Sequence, residues 1–386
     1  MKKLEKSVPV IRFKGFSEAW EQRKFIEIIN RLSKTSNSSI LPKVEYEDII
    51  AEEGRLNKDI SNKFDSRKGI LFQPKNILYG KLRPYLKNWL YPDFKGVAVG
   101  DFWVFEAIEA TPRFIYNLIQ SDSYQKVAND TAGTKMPRSD WTKVSNSSFF
   151  IPKESSEQKR IGTFFKQLDD TIALHQRKLD TLKQMKKGLL QQMFPKSEED
   201  VPKIRFADFD EEWYQRKLGE EFEKINERND GSFGKTHWIS VAKMYFVEPN
   251  KVLSNNIDTR TYVMRKGDIA FEGHSNTDFK FGRFVANDIG PGIVSELFPV
   301  YRHKTNYDNN YWKNAIQLEH IMAPIYSKSI TSSGNSSNKL DSKHFLNQKI
   351  YIADFEEQEK IGSIFKQLDN TIILYQNKLN KFDILK

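Results

Sequence analysis

No cysteine occurs among the 386 residues. That excludes a disulfide framework, a thiolate zinc site, an iron–sulfur cluster and a cysteine nucleophile together. None of the 14 prolines is followed by another, so the Asn/Asp-Pro-Pro-aromatic loop of an amino-methyltransferase is missing. No Phe-x-Gly-x-Gly loop is present to seat S-adenosylmethionine either. The 6 histidines are scattered, with no pair at the i, i+4 spacing of a helical zinc site. Gly231-Ser-Phe-Gly234-Lys235-Thr236 resembles a P-loop ending, but Asn229 breaks the phosphate-cradling spacing. No apolar run is long enough for a membrane span. After Lys2, Lys3 and Lys6, Arg12 and Lys14 interrupt any signal-like apolar core. Acid is scarcer than base: Lys+Arg 61 against Asp+Glu 51 leaves a net charge of +10 and a pI of about 9.3. The expectation is a soluble, cytoplasmic chain with no metal or cofactor of its own, no membrane partner, and a polyanion to bind.

What the chain has is itself, twice. Pro9-x-Ile11-Arg12-Phe13-x-x-Phe16-x-Glu18-x-Trp20-x-Gln22-Arg23-Lys24 returns as Pro202-x-Ile204-Arg205-Phe206-x-x-Phe209-x-Glu211-x-Trp213-x-Gln215-Arg216-Lys217. Gln158-Lys-Arg-Ile161-Gly162-Thr-Phe-Phe165-Lys-Gln-Leu168-Asp169-Asp-Thr-Ile172 returns as Gln358-Glu-Lys-Ile361-Gly362-Ser-Ile-Phe365-Lys-Gln-Leu368-Asp369-Asn-Thr-Ile372. Two long matches in the same order mean a tandem duplication. Each half has a start motif, a long dissimilar middle and a closing motif.

The closing motifs read as helices. Ile161, Phe165, Leu168, Ile172, His175, Leu179 and Leu182 step by four and three alternately, as do Ile361, Phe365, Leu368, Ile372, Tyr375, Leu379 and Phe382. A 3.5-residue apolar repeat held over several heptads is a coiled-coil seam, so the two helices are expected to pair with each other. Ser155 with Gln158, and Asp354 with Glu357, read as capping boxes. The second helix has no counterpart of Lys187–Phe194. The organisation expected is α+β: a first domain over 1–154, a central helix and linker over 155–195, a second domain over 196–354 and a closing helix over 355–386.

The middles read as mixed strands and helices. Gly69–Gln73, Ile77–Tyr79, Gly96–Gly100 and Phe102–Phe105 are strand-like, and Thr111-Pro112 opens a helix. A second-half helix is expected over Tyr311–Met322. Tyr79, Tyr85 and Trp89 read as core.

Ile77-Leu-Tyr79-Gly80-Lys81-Leu-Arg83-Pro84-Tyr85, the Gln-x-x-Ile-Gly helix openings and the paired Trp20/Trp213 motifs resemble the specificity subunit of type I restriction–modification systems. The resemblance implies two tandem α/β target-recognition domains separated by two long helices in an antiparallel coiled coil. It also implies double-stranded DNA, two methyltransferase subunits and restriction motor-nuclease subunits as partners. S-adenosylmethionine would sit on the methyltransferase subunits, not on this non-catalytic chain. Candidate DNA contacts are Lys81, Arg83, Lys87, Lys135 and Arg138 in the first half, and Lys266, His274, Lys280, Arg283, Lys339 and Lys343 in the second. The alternative is a coiled-coil scaffold that reads no DNA.

Overall fold

The computed structural model describes residues 8–131, 135–196, 199–253, 257, 260–333 and 337–385. The chain divides into two compact units, 1–174 with 382–386, and 175–381. The cut falls inside the long helix Ser155–Gln192 rather than at its start.

In the first unit the strands Ile29–Leu32, Phe102–Ala107, Ile77–Gly80 and Trp89–Leu90 form an antiparallel sheet in that order. Ile77–Gly80 and the Phe102–Phe105 part of the other inner strand are apolar because both of their faces are buried, whereas Glu106 at the end of the latter is exposed. Ile77, Tyr79, Trp103 and Phe105 point into one core, while Leu78, Phe102 and Val104 point into another. Successive side chains of a strand alternate faces, so a continuous apolar run serves two cores at once. The first core also takes Phe114, Ile115, Leu118 and Ile119 from the helix Pro112–Gln120. The second lies under a smaller sheet that includes Gly69–Phe72 and Gly96–Ala98.

The second unit has the same sheet in the same order, built from Phe222–Ile225, Val300–His303, Ile269–Glu272 and Arg283–Ala286. The alternation is the same too. Ile269, Phe271, Phe284 and Tyr301 enter one core; Ala270, Val285 and Val300 enter the other. One detail differs from expectation. The helix expected over Tyr311–Met322 is two helices, Asn309–Ala315 and Glu319–Ser329, the second running through Pro324. Burial of Ile321, Met322, Ile325 and Tyr326 offsets the amide hydrogen bond that the proline cannot donate.

The duplicated motifs hold each sheet to its own long helix. The segment ending in Gln22-Arg23-Lys24 pairs antiparallel with Ser148–Ile151, and Tyr214–Lys217 pairs with Lys349–Ile352. Arg12 donates from Nε and Nη2 to the two carboxylate oxygens of Glu157 at 2.7 and 2.8 Å, and the Trp20 indole adds a third bond at 3.3 Å. Arg205 and Trp213 grip Glu357 in the same way, at 2.8, 2.8 and 3.0 Å. Gln158 accepts from the Thr111 amide and donates to the Pro152 carbonyl; Gln358 does the same with Asp308 and Ala353. These bonds replace the capping boxes expected from sequence. Only Asp354 caps as expected, accepting from the Glu357 amide at 2.7 Å.

The long helices are Ser155–Gln192 and Phe355–Leu385. Within the second unit they run antiparallel. His175 meets Tyr375 at 5.5 Å between ring centroids, Lys186 bridges Asp369 at 2.6 Å, and Phe194 meets Phe365 at 6.1 Å, so one number rises as the other falls. Leu168, Leu179, Leu368 and Leu379 are buried, Leu182 packs on the second core, and Ile172, Ile372 and Phe382 are half-buried. Three seam residues have a different main use. Ile161 packs against the first domain's core, and Ile361 and Phe365 belong to the second's, because the helix openings serve the domains before they serve the seam.

Candidate nucleic-acid interface

The first candidate surface grows from the end of an inner strand. Beyond Gly80 the chain leaves the sheet and is zipped to a second loop. Arg83 donates its amide to the Pro137 carbonyl at 2.7 Å, and Ser139 donates to Lys81 at 2.8 Å. The Tyr46 hydroxyl fixes the base of the loop, donating to the Asp101 carbonyl at 2.5 Å and accepting from the Leu82 amide at 3.2 Å. Lys81 and Arg138 are therefore held together around Asp101, with Arg83 in the same zipped loop. Arg138 binds the Asp101 carboxylate at 3.0 Å and Lys81 approaches it at 3.6 Å. The bond from Arg138, followed by the nearby charges, holds the Asp101 carboxyl below its usual range. Arg83 is exposed, and among the described residues its guanidinium has no partner. Lys135 is exposed in the zipped loop, next to residues 132–134, which lie outside the described set. Lys87 stands at the far end of a turn, 3.1 Å from Glu52.

The second half repeats the zipper. Asn338 donates its amide to the Gly273 carbonyl at 2.8 Å, and a side chain at Gly273 would strike the Asn338 carbonyl oxygen. This sets His274 beside the strand Asn338–Leu340 that carries exposed Lys339. The His274 ring bonds to buried Glu272. Lys280 is exposed after the same inner strand, and Lys343 is exposed on the short helix that follows the zipped loop.

Residues 17–184 match the family model described as the type I restriction modification DNA specificity domain. The first half of the chain is thus similar to that domain. No curated protein matches the sequence. A solved type I restriction–modification S subunit from M. genitalium shares 13% identity, 98% of this chain, 96% of its own and a TM-score of 0.59. A structure from work on complex assembly and conformational transition of the type I R-M system shares 16% identity, covers 98% of this chain and 97% of its own, and has a TM-score of 0.53. At those identities the likeness is one of fold, and it runs through both halves. The chain has the tandem-domain, long-helix fold of type I specificity subunits.

Seen on that fold, three candidates from the sequence change place. Lys266 lies in the turn before the strand Ile269–Glu272, so four strand residues, about 13 Å at 3.3 Å each, separate it from the His274 loop. Arg283 is tied down, donating to the Ala242 carbonyl at 2.6 Å with its guanidinium 4.7 Å from the Phe279 ring centroid. Tyr85, expected in the core, is 55% exposed, whereas Tyr79 and Trp89 are buried. The sequence also gave no sign that Asp101 would gather Lys81 and Arg138, because the acid lies twenty residues from one and thirty-seven from the other.

Among the described residues no group of His, Asp and Glu is placed to hold a metal ion, and no helix is long and apolar enough to cross a membrane.

Proposed function

We propose that this chain is the DNA-recognition subunit of a type I restriction–modification complex, reading a two-part duplex site with one domain per half-site. The supporting observation is the repeated cationic zipper. In both halves the loop leaving the same inner strand is bonded to a second loop, carries exposed basic side chains beside it, and differs in sequence from its counterpart. A duplicated frame with unlike contents suits two unlike half-sites. Most of these cations would bind phosphate and set the register. Arg83, planar and unpaired, suits bidentate contact with a guanine edge.

In this reading the long helices dock two methyltransferase subunits, which bring S-adenosylmethionine, and restriction motor-nuclease subunits complete the assembly. The chain itself transfers no methyl group, cuts no DNA and works in the cytoplasm. Methylome sequencing of cells that carry the chain with its cognate methyltransferase tests this. The expected result is one two-part motif, methylated only when the chain is present. Methylation of the same motif without the chain would overturn the assignment.

A further inference from the structure

We propose that Tyr85 and Leu86 form a wedge that enters between base pairs of the duplex bound by the first domain, an inference that rests on the DNA-recognition reading above. The tip is apolar and outward: Tyr85 is 55% and Leu86 41% exposed, in a stretch where Tyr79, Pro84 and Trp89 are buried. Its shape is imposed. Pro84–Leu86 is a single tight turn bracketed by Arg83 at φ 49° and Lys87 at φ 54°. Both brackets are left-handed, a conformation that non-glycine residues keep only where their surroundings enforce it.

The surroundings do enforce it. The Arg83 amide is bonded to Pro137, the Leu86 amide to Arg83, the Lys87 amide to Pro84, and the Lys87 carbonyl accepts from Glu52 at 3.0 Å. The tip therefore cannot fold back to bury its two apolar side chains.

Charge decides what the tip meets. Arg83 stands unpaired on one side; Lys87, bridged to Glu52, stands on the other, and Lys81, near Asp101, lies one turn of chain away. Cations on both flanks of an apolar point fit a polyanion with an apolar interior, and duplex DNA has that construction. Aromatic and leucine side chains inserted at a base step unstack it partly and kink the duplex. Among the described residues the corresponding loop of the second domain has no such tip: it runs Gly273-His274 with the histidine bonded to Glu272. The wedge thus belongs to the first domain's loop, and its distortion falls in the half-site which that domain binds.

The test uses a closed-circular plasmid relaxed by a topoisomerase in the presence of the full chain, then stripped of protein. Wild type should retard the plasmid in a gel and leave topoisomers shifted towards unwinding. The Tyr85→Ser/Leu86→Ser variant should still retard it at low salt, because the cations remain, but at equal retardation it should lose most of the shift. Tyr85→Phe should keep it. Both side chains are exposed, so thermal unfolding should match wild type. Retardation by wild type without a shift overturns the wedge and leaves the DNA reading intact. A serine variant that shifts topoisomers fully also overturns the wedge. No retardation even at low salt overturns both.

Discussion

Glu157 and Glu357 explain at the scale of single residues why the start motifs are repeated so faithfully. Each is a carboxylate almost removed from water, with side-chain exposures of 2% and 0%, and each is met by an arginine fork and an indole N–H from the start of its own half. Removing one member strands the others. Arg205→Ala should cost about 3–5 kcal/mol, since it leaves the Glu357 charge buried with one donor. Urea unfolding of the full chain checks it, and a loss below about 1 kcal/mol would mean that the pair is worth no more than a surface bridge. His303 is a different buried group. Its ring lies against Tyr307, Phe222 and Trp312, and neither ring nitrogen finds a partner among the described residues. Burial pushes its pKa down to about 3. Folded His303 is thus neutral where an unfolded chain takes up a proton, below about pH 6.5. Stability present above that pH is lost as the pH falls from about 6.5 towards 3. By pH 5 the loss is about 2 kcal/mol. His303→Phe should remove that part of the acid sensitivity in melts at pH 7 and pH 5. An unchanged slope would place the titration elsewhere. In the loop after Gly80, Arg83→Ala should weaken one half-site by about 1–3 kcal/mol if, as proposed, the loop meets DNA and the guanidinium reads a base edge. Equal loss on every sequence would make it a phosphate contact.

Among the elements, the glycines of the Gln-x-x-Ile-Gly openings show how a helix is fitted to its domain. A Cβ on Gly362 would lie 1.9 Å from an Asp308 carboxylate oxygen and 3.0 Å from the Tyr311 amide, the two atoms that cap the helix Asn309–Ala315. On Gly162 it would meet Arg113 Cγ at 2.8 Å and Cβ at 3.0 Å, the stem of that side chain. Alanine improves helix propensity by about 1 kcal/mol at either position. Overpacking, about 1–3 kcal/mol, should outweigh that at both, and by more at Gly362, where the clash is deeper and falls on capping atoms. Comparing the two melting temperatures tests this, and equal shifts would contradict it. The same elements show what sequence can reveal. Inner strands such as Ile77–Gly80 were legible because both faces are apolar, and the long helices because their heptads persist. The break between Ala315 and Glu319 was not, since the apolar spacing of Tyr311–Met322 runs straight across it. Gln158 and Glu357 were misread for a related reason. A glutamine or carboxylate near a helix start looks like a cap partner until groups from elsewhere in the chain claim it, Thr111 and Pro152 for Gln158 and Arg205 for Glu357. Tyr85 failed the other way: aromatic residues are usually core, and only the left-handed brackets at Arg83 and Lys87 turn this one outward.

For the whole molecule, duplication makes each long helix do two jobs. Its opening belongs to a domain core, through Ile161 or Ile361, and its later turns belong to the pairing of the helices. A length change must leave the first job alone, so it belongs where the helices meet away from the cores. His175 and Tyr375 mark that place, 5.5 Å apart and at equivalent positions of the two halves. One heptad inserted after each keeps the apolar seam in phase, and each helix lengthens by about 10.5 Å. If the helices set the distance between half-sites, the matching DNA spacer grows by about three base pairs, at 3.4 Å per step. Three base pairs also turn the second half-site by about 100° around the duplex, given 10–10.5 base pairs per turn. Twisting protein or DNA to compensate costs energy, so the lengthened chain should select the same half-sites at a longer spacing and bind them more weakly. Selection from a duplex library with randomised spacers reads both effects together. An unchanged spacer bound with undiminished affinity would show that the distance is set by something other than the helices.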